Sequence, residues 1–344
     1  MKERMEIYAT LGPSCADPET LRRMFAEGIT GMRLNLSHGS LALSSTMIDA
    51  FHRAEDLEGV HISLLIEMQG PELRIGHVAK NRMLTEGEDV LLYDKRLRDS
   101  DDSIPIPKEV IRNYMDGMIL LIDDGKISLR AEQLIQTGSK TQIKASVLTG
   151  GALKSRKSIA VKDMAITGDT LTEQDLMNLK EAVSYGVTDV MQPFVRGASD
   201  LRTVKSAMRE AGAGNCRLFA KIENRTGVAA LSEILPETDM LVIARGDLGN
   251  AMPLWELPYV QKEISAECLK HHVPFMVVTQ MLASMENSPV PTRAEVSDIF
   301  NAVADGASAV MITGESASGN YPVQASSYLV KTAMEGLRWR ERNA

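Results

Sequence analysis

Short apolar runs recur along the chain, with amphipathic stretches between them. The first three runs cover residues 6–11, 31–36 and 62–68. Five more follow later, at 188–194, 217–222, 240–244, 274–279 and 309–313. Apolar runs this short, bounded by Gly, Pro, Ser or Asn, read as buried strands. The stretches between them read as helices: 17–27, 41–57, 172–185, 199–211, 227–235, 258–270, a helix opening at 292, and 322–338. Asp17 is placed to cap the first helix, with Pro18 in its first turn. Thr172 and Asp175 suit the start of the third, and Thr292 with Glu295 forms a capping box. Eight strands alternating with eight helices predict a (β/α)₈ barrel. An open doubly wound sheet of six or seven strands is the competing architecture.

The rhythm breaks between 76 and 161. Short β segments replace the strand–helix alternation, at 89–93, 118–122, 126–131 and 142–148. Asp123-Asp124-Gly125 between two of them is a hairpin signal. This predicts a small all-β lid domain at 76–161, inserted after strand three into a barrel made of 1–75 and 162–344. Gly150-Gly151 and the basic run at 154–157 mark the return.

Composition narrows the function classes. The chain has 344 residues, 44% apolar and 24% charged, as an ordinary globular protein does. Its net charge of −8 argues against generic nucleic-acid binding while allowing a local basic pocket. Cys15, Cys216 and Cys268 are far apart and form no CxxC pair, so a reducing compartment is expected and a zinc site is not. No signal-peptide pattern opens the chain, and no apolar run has the length of a membrane span. A cytoplasmic location without membrane contact is the expectation.

In such a barrel the chemistry collects at the carboxyl ends of the strands. Strand two ends in Arg33, Asn35 and Ser37, which alternate and so share a face. Strand three ends in Glu67, with Arg74 beyond it. Strand five ends in Lys221 and Glu223, two apart and therefore facing one way. Strand six leads into Arg245-Gly246-Asp247, strand seven into Thr279-Gln280, and strand eight into Thr313-Gly314-Glu315. Each of these alone has a plain structural explanation: an ion pair, a turn or a helix cap. Together at one rim they suit an anionic, phosphorylated small molecule. Arg33, Arg74 and Lys221 can contact phosphoryl oxygens, and Glu223 with Asp247 can hold Mg²⁺. Gly246 allows close backbone approach, and N–H groups from there onward can meet a carboxylate if a helix starts there. Positive groups and a metal around a moving phosphoryl are what phosphoryl transfer needs.

IYATLGPS, GMRLNLSHG, QGPELRIG, LLIDDGKI, FAKIENRTGV, IARGDLG, TQML, PTRAEVSDIFNAVADG and TGESASGNYPVQA follow one another between residues 7 and 330. In sequence and order they resemble the motifs of the pyruvate kinase family. The resemblance implies a (β/α)₈ barrel with an inserted β-barrel lid, transferring the phosphoryl group of phosphoenolpyruvate to ADP to give pyruvate and ATP. It implies that Lys221 stabilises the transferring phosphoryl group and the enolate, and that Glu223 and Asp247 bind Mg²⁺ or Mn²⁺. Gly246, Asp247 and Thr279 match substrate contacts, Thr279 near the carbon that is protonated, and Arg33 matches the phosphate contact. Asn35, Ser37, Glu67 and the Met68 carbonyl match a potassium site. Arg74, His38, Lys157 and Asn35 match nucleotide contacts. Glu72 stands where the potassium-dependent members carry glutamate.

Several positions depart from the family pattern. Glu67-Met68 replaces Asp-Thr, Gln69 replaces a lysine, and Pro193 replaces a serine. Ala160 and Lys162 alter the closing motif of the lid. The family's usual C-terminal domain has no counterpart here, so control through it is not expected and a homodimer is. These departures leave two alternatives: a divergent relative acting on another enol phosphate or keto acid, such as a metal-dependent lyase, or a phosphoenolpyruvate-binding module without catalysis.

Overall fold

The computed structural model describes residues 5–37, 39–78, 82–94, 103–123, 125–138, 140–162 and 169–343. Contacts divide the chain into two compact units, one formed by Met1–Gly70 with Thr170–Ala344, the other by Pro71–Asp169.

In the first unit eight parallel strands close on themselves. They are β1 (Glu6–Thr10), β2 (Gly31–Asn35), β3 (Ser63–Glu67), β4 (Asp189–Gln192), β5 (Arg217–Ile222), β6 (Met240–Ala244), β7 (Phe275–Val278) and β8 (Ala309–Met311). β1 pairs with β2 on one side and β8 on the other, so no edge remains and the open-sheet alternative is removed. The surrounding helices are α1 (Pro18–Ala26), α2 (Ser45–Glu58), α3 (Glu173–Ala182), α4 (Ala198–Glu210), α5 (Arg225–Ala229), α6 (Leu231–Ile234), α7 (Arg245–Asn250), α8 (Leu257–Lys270), α9 (Arg293–Ala304), α10 (Gly314–Ala317) and α11 (Pro322–Asn343). Asp17 caps α1 through the Thr20 N–H, and both Thr172–Asp175 and Thr292–Glu295 form complete capping boxes. The single helix expected at 227–235 is instead two short ones that break at Ala230.

Strand alternation sorts the side chains into two cores. On β5, Leu218, Ala220 and Ile222 face the helices, while Phe219 fills the lumen with Tyr8, Leu65, Met191, Met240, Val242, Met276 and Met311. Each such fully buried side chain contributes about 1.5–3 kcal/mol. The same alternation sends Lys221 and Glu223 to the lumen side, in successive layers nearer the carboxyl rim. The opposite rim carries its own ion cluster. Arg217 donates to Asp189 at 2.6 Å and to Glu6 at 2.9 Å and 3.0 Å, with the Tyr8 hydroxyl 2.9 Å away. Its guanidinium lies 5.0 Å from the centre of the Phe219 ring. Asp189 is fully buried.

The second unit is all-β with one short helix, Lys108–Arg112. Its larger sheet runs Ile159–Val161, Ile119–Ile122, Ile127–Thr137, Lys140–Thr149, Asp89–Asp94, Ile104–Ile106, and a two-stranded sheet pairs Arg82–Leu84 with Gly151–Leu153. The expected hairpin is present, Ile122 facing Ile127 across the turn, although Asp124 lies outside the described residues. This unit has its own apolar core, around Leu92, Leu120, Leu129 and Ile143. Ile75 belongs to that core, and Arg74 bridges to Ser158.

Among the described residues no helix is long and apolar enough to cross a membrane. All three cysteines are free thiols. Arg217→Met leaves Asp189 buried without its cation, and the expected loss is about 3 kcal/mol, read from urea unfolding.

Candidate active site

Four charged side chains form a continuous chain at the carboxyl rim of the barrel. Glu67 Oε2 accepts from Arg33 Nε at 2.6 Å, and Glu67 Oε1 accepts from Lys221 Nζ at 2.9 Å. The same ammonium stands 2.6 Å from Glu223 Oε1. The order is guanidinium, carboxylate, ammonium, carboxylate. Strand register explains it: Asn35, not Arg33, lies opposite Glu67 in the β2–β3 pairing, so the long arginine reaches one layer up to meet the carboxylate. Arg33 also donates to Thr10 Oγ1 at 3.2 Å.

Burial sets the electrostatics. It tends to raise the Glu67 carboxyl, but Arg33 and Lys221 outweigh it and hold the group down at about 2. Burial tends to lower the Lys221 ammonium, but Glu223 and Glu67 raise it well above the usual lysine value. That lysine is a permanent positive charge and not a base. Glu223 goes the other way. Burial, with Asp247 and Glu67 as like charges nearby, pushes it up to about 8 against the pull of Lys221.

Glu223 is the strained member of the cluster. Its Oε2 accepts from the Phe194 N–H at 2.8 Å. Its Oε1 is buried and has no hydrogen-bond partner, so the close approach of Lys221 is a charge contact that is not aligned as a hydrogen bond. An orphaned, buried carboxylate oxygen with a second carboxylate acting on it fits a divalent cation. Asp247 supplies that second carboxylate from the first turn of α7. Among the described residues no group of three or more His, Cys, Asp or Glu is placed to hold a metal by itself. Two carboxylates with positions left over match Mg²⁺ that keeps water or substrate oxygens.

A cavity of about 450 Å³ opens over this cluster, lined by Thr10, Gly12, Arg33, Asn35, Ser44, Glu67, Lys221, Thr279 and Thr313, among others. Gly246 sits beside it, and a Cβ there would come within 3.0 Å of Thr279 Cγ2. Helix α7 does start at Arg245, so the N–H groups from Gly246 onward belong to a helix opening. Thr10 and Ser44 escaped the reading of strand ends, whereas Thr313 stands in the Thr313-Gly314-Glu315 run found there. Thr10 was traceable from its place two residues after the inward-facing Tyr8.

Other expected site residues are bound up locally. Asn35 Oδ1 accepts from the Ser37 N–H at 2.9 Å in a turn just past β2. Met68 is buried, and its N–H donates to the Met191 carbonyl at 3.1 Å. Gln69 donates through Nε2 to the Leu36 carbonyl at 3.2 Å, while its backbone N–H and that of Gly70 donate to the two oxygens of Asp175. Pro193 lies against Gly70, whose φ of +61° and close neighbour leave no room for a Cβ. Arg74 and Lys157 are in the second unit, where Arg74 pairs with Glu72 at 2.5 Å and Lys157 with Asp123 at 2.8 Å. His38 lies outside the described residues.

A closed parallel barrel with a buried cluster of alternating charges at the carboxyl ends of its strands defines a barrel of the enzyme type. Comparison with known proteins is more specific. The family described as "Pyruvate kinase, barrel domain" matches residues 2–326. The pyruvate kinase of Aeropyrum pernix is 34% identical over 98% of this chain and 72% of its own length. That of Agrobacterium vitis is 36% identical over 94% of this chain and 66% of its own, and that of Geobacillus stearothermophilus 33% identical over 97% and 57%. The chain belongs to the pyruvate kinase family.

One consequence of the Glu223 environment concerns pH. Its carboxyl is pushed up to about 8 from an ordinary 4.5, so between those values the folded chain holds a proton that the unfolded chain has released. Stability falls as the pH rises through that window. Glu223→Gln lacks this term. Without divalent metal, the variant is expected to gain stability relative to the parent between about pH 5 and about pH 8.5 in denaturant titrations. Parallel pH profiles would contradict the assignment.

Proposed function

We propose that this chain transfers the phosphoryl group of phosphoenolpyruvate to ADP, with a proton added to the enolate to give pyruvate. The observation that carries this reading is the Lys221 ammonium, held between Glu67 and Glu223 beneath a cavity that Arg33 and Thr279 also line. The P–O bond to the enol oxygen breaks, a bond forms to a terminal phosphate oxygen of ADP, and a proton joins the methylene carbon. Arg33 and Lys221 bind phosphoryl oxygens, and the raised Lys221 pKa keeps that charge in place as negative charge builds on the enolate. Thr279, which lines the cavity, is the residue near the protonated carbon, as the resemblance implies. Mg²⁺ or Mn²⁺, held by Glu223 and Asp247, would neutralise charge on the phosphoryl oxygens. Arg74, Lys157, Asn35 and His38 are the proposed nucleotide contacts, as the resemblance implies. A homodimer in the cytoplasm completes the proposal.

Potassium has a contested seat. Of the groups the resemblance implies, Glu67 already spends both oxygens on Arg33 and Lys221, and Asn35 Oδ1 accepts from Ser37. Two unit charges 4 Å apart repel by about 4 kcal/mol at an effective dielectric of about 20. A potassium ion sharing those oxygens meets repulsion of that order, so no step is routed through it. Glu67→Asp shortens the side chain and is expected to increase the response to K⁺. Turnover and calorimetric binding of phosphoenolpyruvate, each compared in K⁺ and tetramethylammonium, read this out, and an unchanged response would count against it.

The direct test of the function is a coupled assay for pyruvate from phosphoenolpyruvate and ADP with Mg²⁺. Lys221→Met is expected to lower kcat by roughly 10²–10³-fold, in line with loss of one electrostatic stabiliser, with KM little changed. A folded parent chain that binds the metal yet makes no pyruvate would overturn the proposal.

A further inference from the structure

Thr279 and Gln280, directly after β7, are consecutive non-glycine residues with φ of +79° and +55°. Left-handed backbone is rare for a β-branched residue, so it persists only where the surroundings impose it. Arg245 imposes it. From the first turn of α7 its guanidinium donates twice to the Thr279 carbonyl, through Nε at 3.2 Å and Nη2 at 2.7 Å. The Nη1 side of the same group pairs with Asp298 of α9 at 2.7 Å. Nη2 also lies 2.9 Å from Met281 Sδ. The Arg245 side chain is only 12% exposed. One planar fork thus ties the end of β6 to the end of β7 and is itself oriented from α9, a task that a lysine's single ammonium cannot share out in the same way.

The far end of this segment is fastened separately. The Leu282 N–H donates to Glu315 Oε1 at 2.9 Å, and Glu315 Oε2 accepts from the Thr313 N–H at 2.7 Å. Between these two anchors the Thr279 side chain lines the cavity, whereas Arg245 does not. The arginine therefore acts on the site through the backbone of Thr279.

We propose that Arg245, oriented by Asp298, is a positioning residue that holds Thr279 in its left-handed conformation and so aims its hydroxyl into the cavity. Its effect on proton delivery rests on the function proposed above; the clamp itself does not. A residue that only stabilised the barrel would weaken all steps together. A residue that aims Thr279 weakens protonation of the enolate more than it weakens substrate binding or phosphoryl transfer.

The experiment compares the parent chain with Arg245→Met, Arg245→Lys and Asp298→Asn by two measurements. Amide hydrogen exchange of the peptide spanning 279–282 tests the clamp. Exchange there is expected to quicken about tenfold or more in both arginine variants and less in Asp298→Asn, with the remaining barrel peptides unchanged. Exchange of the pyruvate methyl protons with solvent, compared with phosphoryl transfer, tests the role. The methyl exchange is expected to fall roughly 100-fold in Arg245→Met, while KM for phosphoenolpyruvate stays within about threefold. Unchanged amide exchange in all three variants would overturn the clamp. Equal loss of methyl exchange and phosphoryl transfer would overturn the positioning role. If the parent chain catalyses neither reaction, the proposed function fails, and amide exchange alone decides whether Arg245 clamps Thr279.

Discussion

Glu67 joins the two cations of the rim, Arg33 and Lys221, and the arrangement of the site depends on that link. Without Glu67, the buried Arg33 would lose the carboxylate that pairs with it, and Lys221 would keep only Glu223. With Glu67 between them, their charges are fixed in position and directed at the cavity. The link also settles the protonation states. Glu67 stays ionised and Lys221 stays charged, while the remaining mismatch is concentrated on Glu223. The cluster is therefore incomplete at one defined point, the Oε1 of Glu223 without a hydrogen-bond partner, and the divalent cation proposed there would complete it.

The rest of the barrel supports this rim in layers. Below it, the lumen is filled by aromatic, aliphatic and thioether side chains. At the opposite end Arg217, Glu6, Asp189 and Tyr8 close the barrel with charges of their own. Beside it, the loops after β7 and β8 are fastened by Arg245, Asp298 and Glu315.

Much of this was legible in the sequence, for identifiable reasons. Period-two alternation from Phe219 placed Lys221 and Glu223 on one face, and the strands Arg217–Ile222 and Met240–Ala244 have the bounds that their apolar runs suggested. Caps at Asp17, Thr172 and Thr292 were readable because each is a local bond between residues three apart. The pairing of Glu67 with both Arg33 and Lys221 was not. It spans 34 and 154 residues of sequence and depends on strand register, which no local pattern encodes. Gln69 illustrates the same limit. As a substitution it reads as a lost charge, yet in the fold its side chain bonds the Leu36 carbonyl, and its backbone with that of Gly70 is held by Asp175, 106 residues away. The left-handed backbone at Thr279, whose carbonyl accepts from Arg245 34 residues away, has no local signal either.

The proposed cation site is Glu223 with Asp247, completed by metal and a phosphorylated substrate. The most direct measurement is titration of Mn²⁺ into the folded chain, followed by electron paramagnetic resonance with and without phosphoenolpyruvate. The account predicts one site per chain that tightens when the substrate is present and is lost in Asp247→Asn. Mn²⁺ binding that ignores both the substrate and that substitution, or no binding at all, would contradict it.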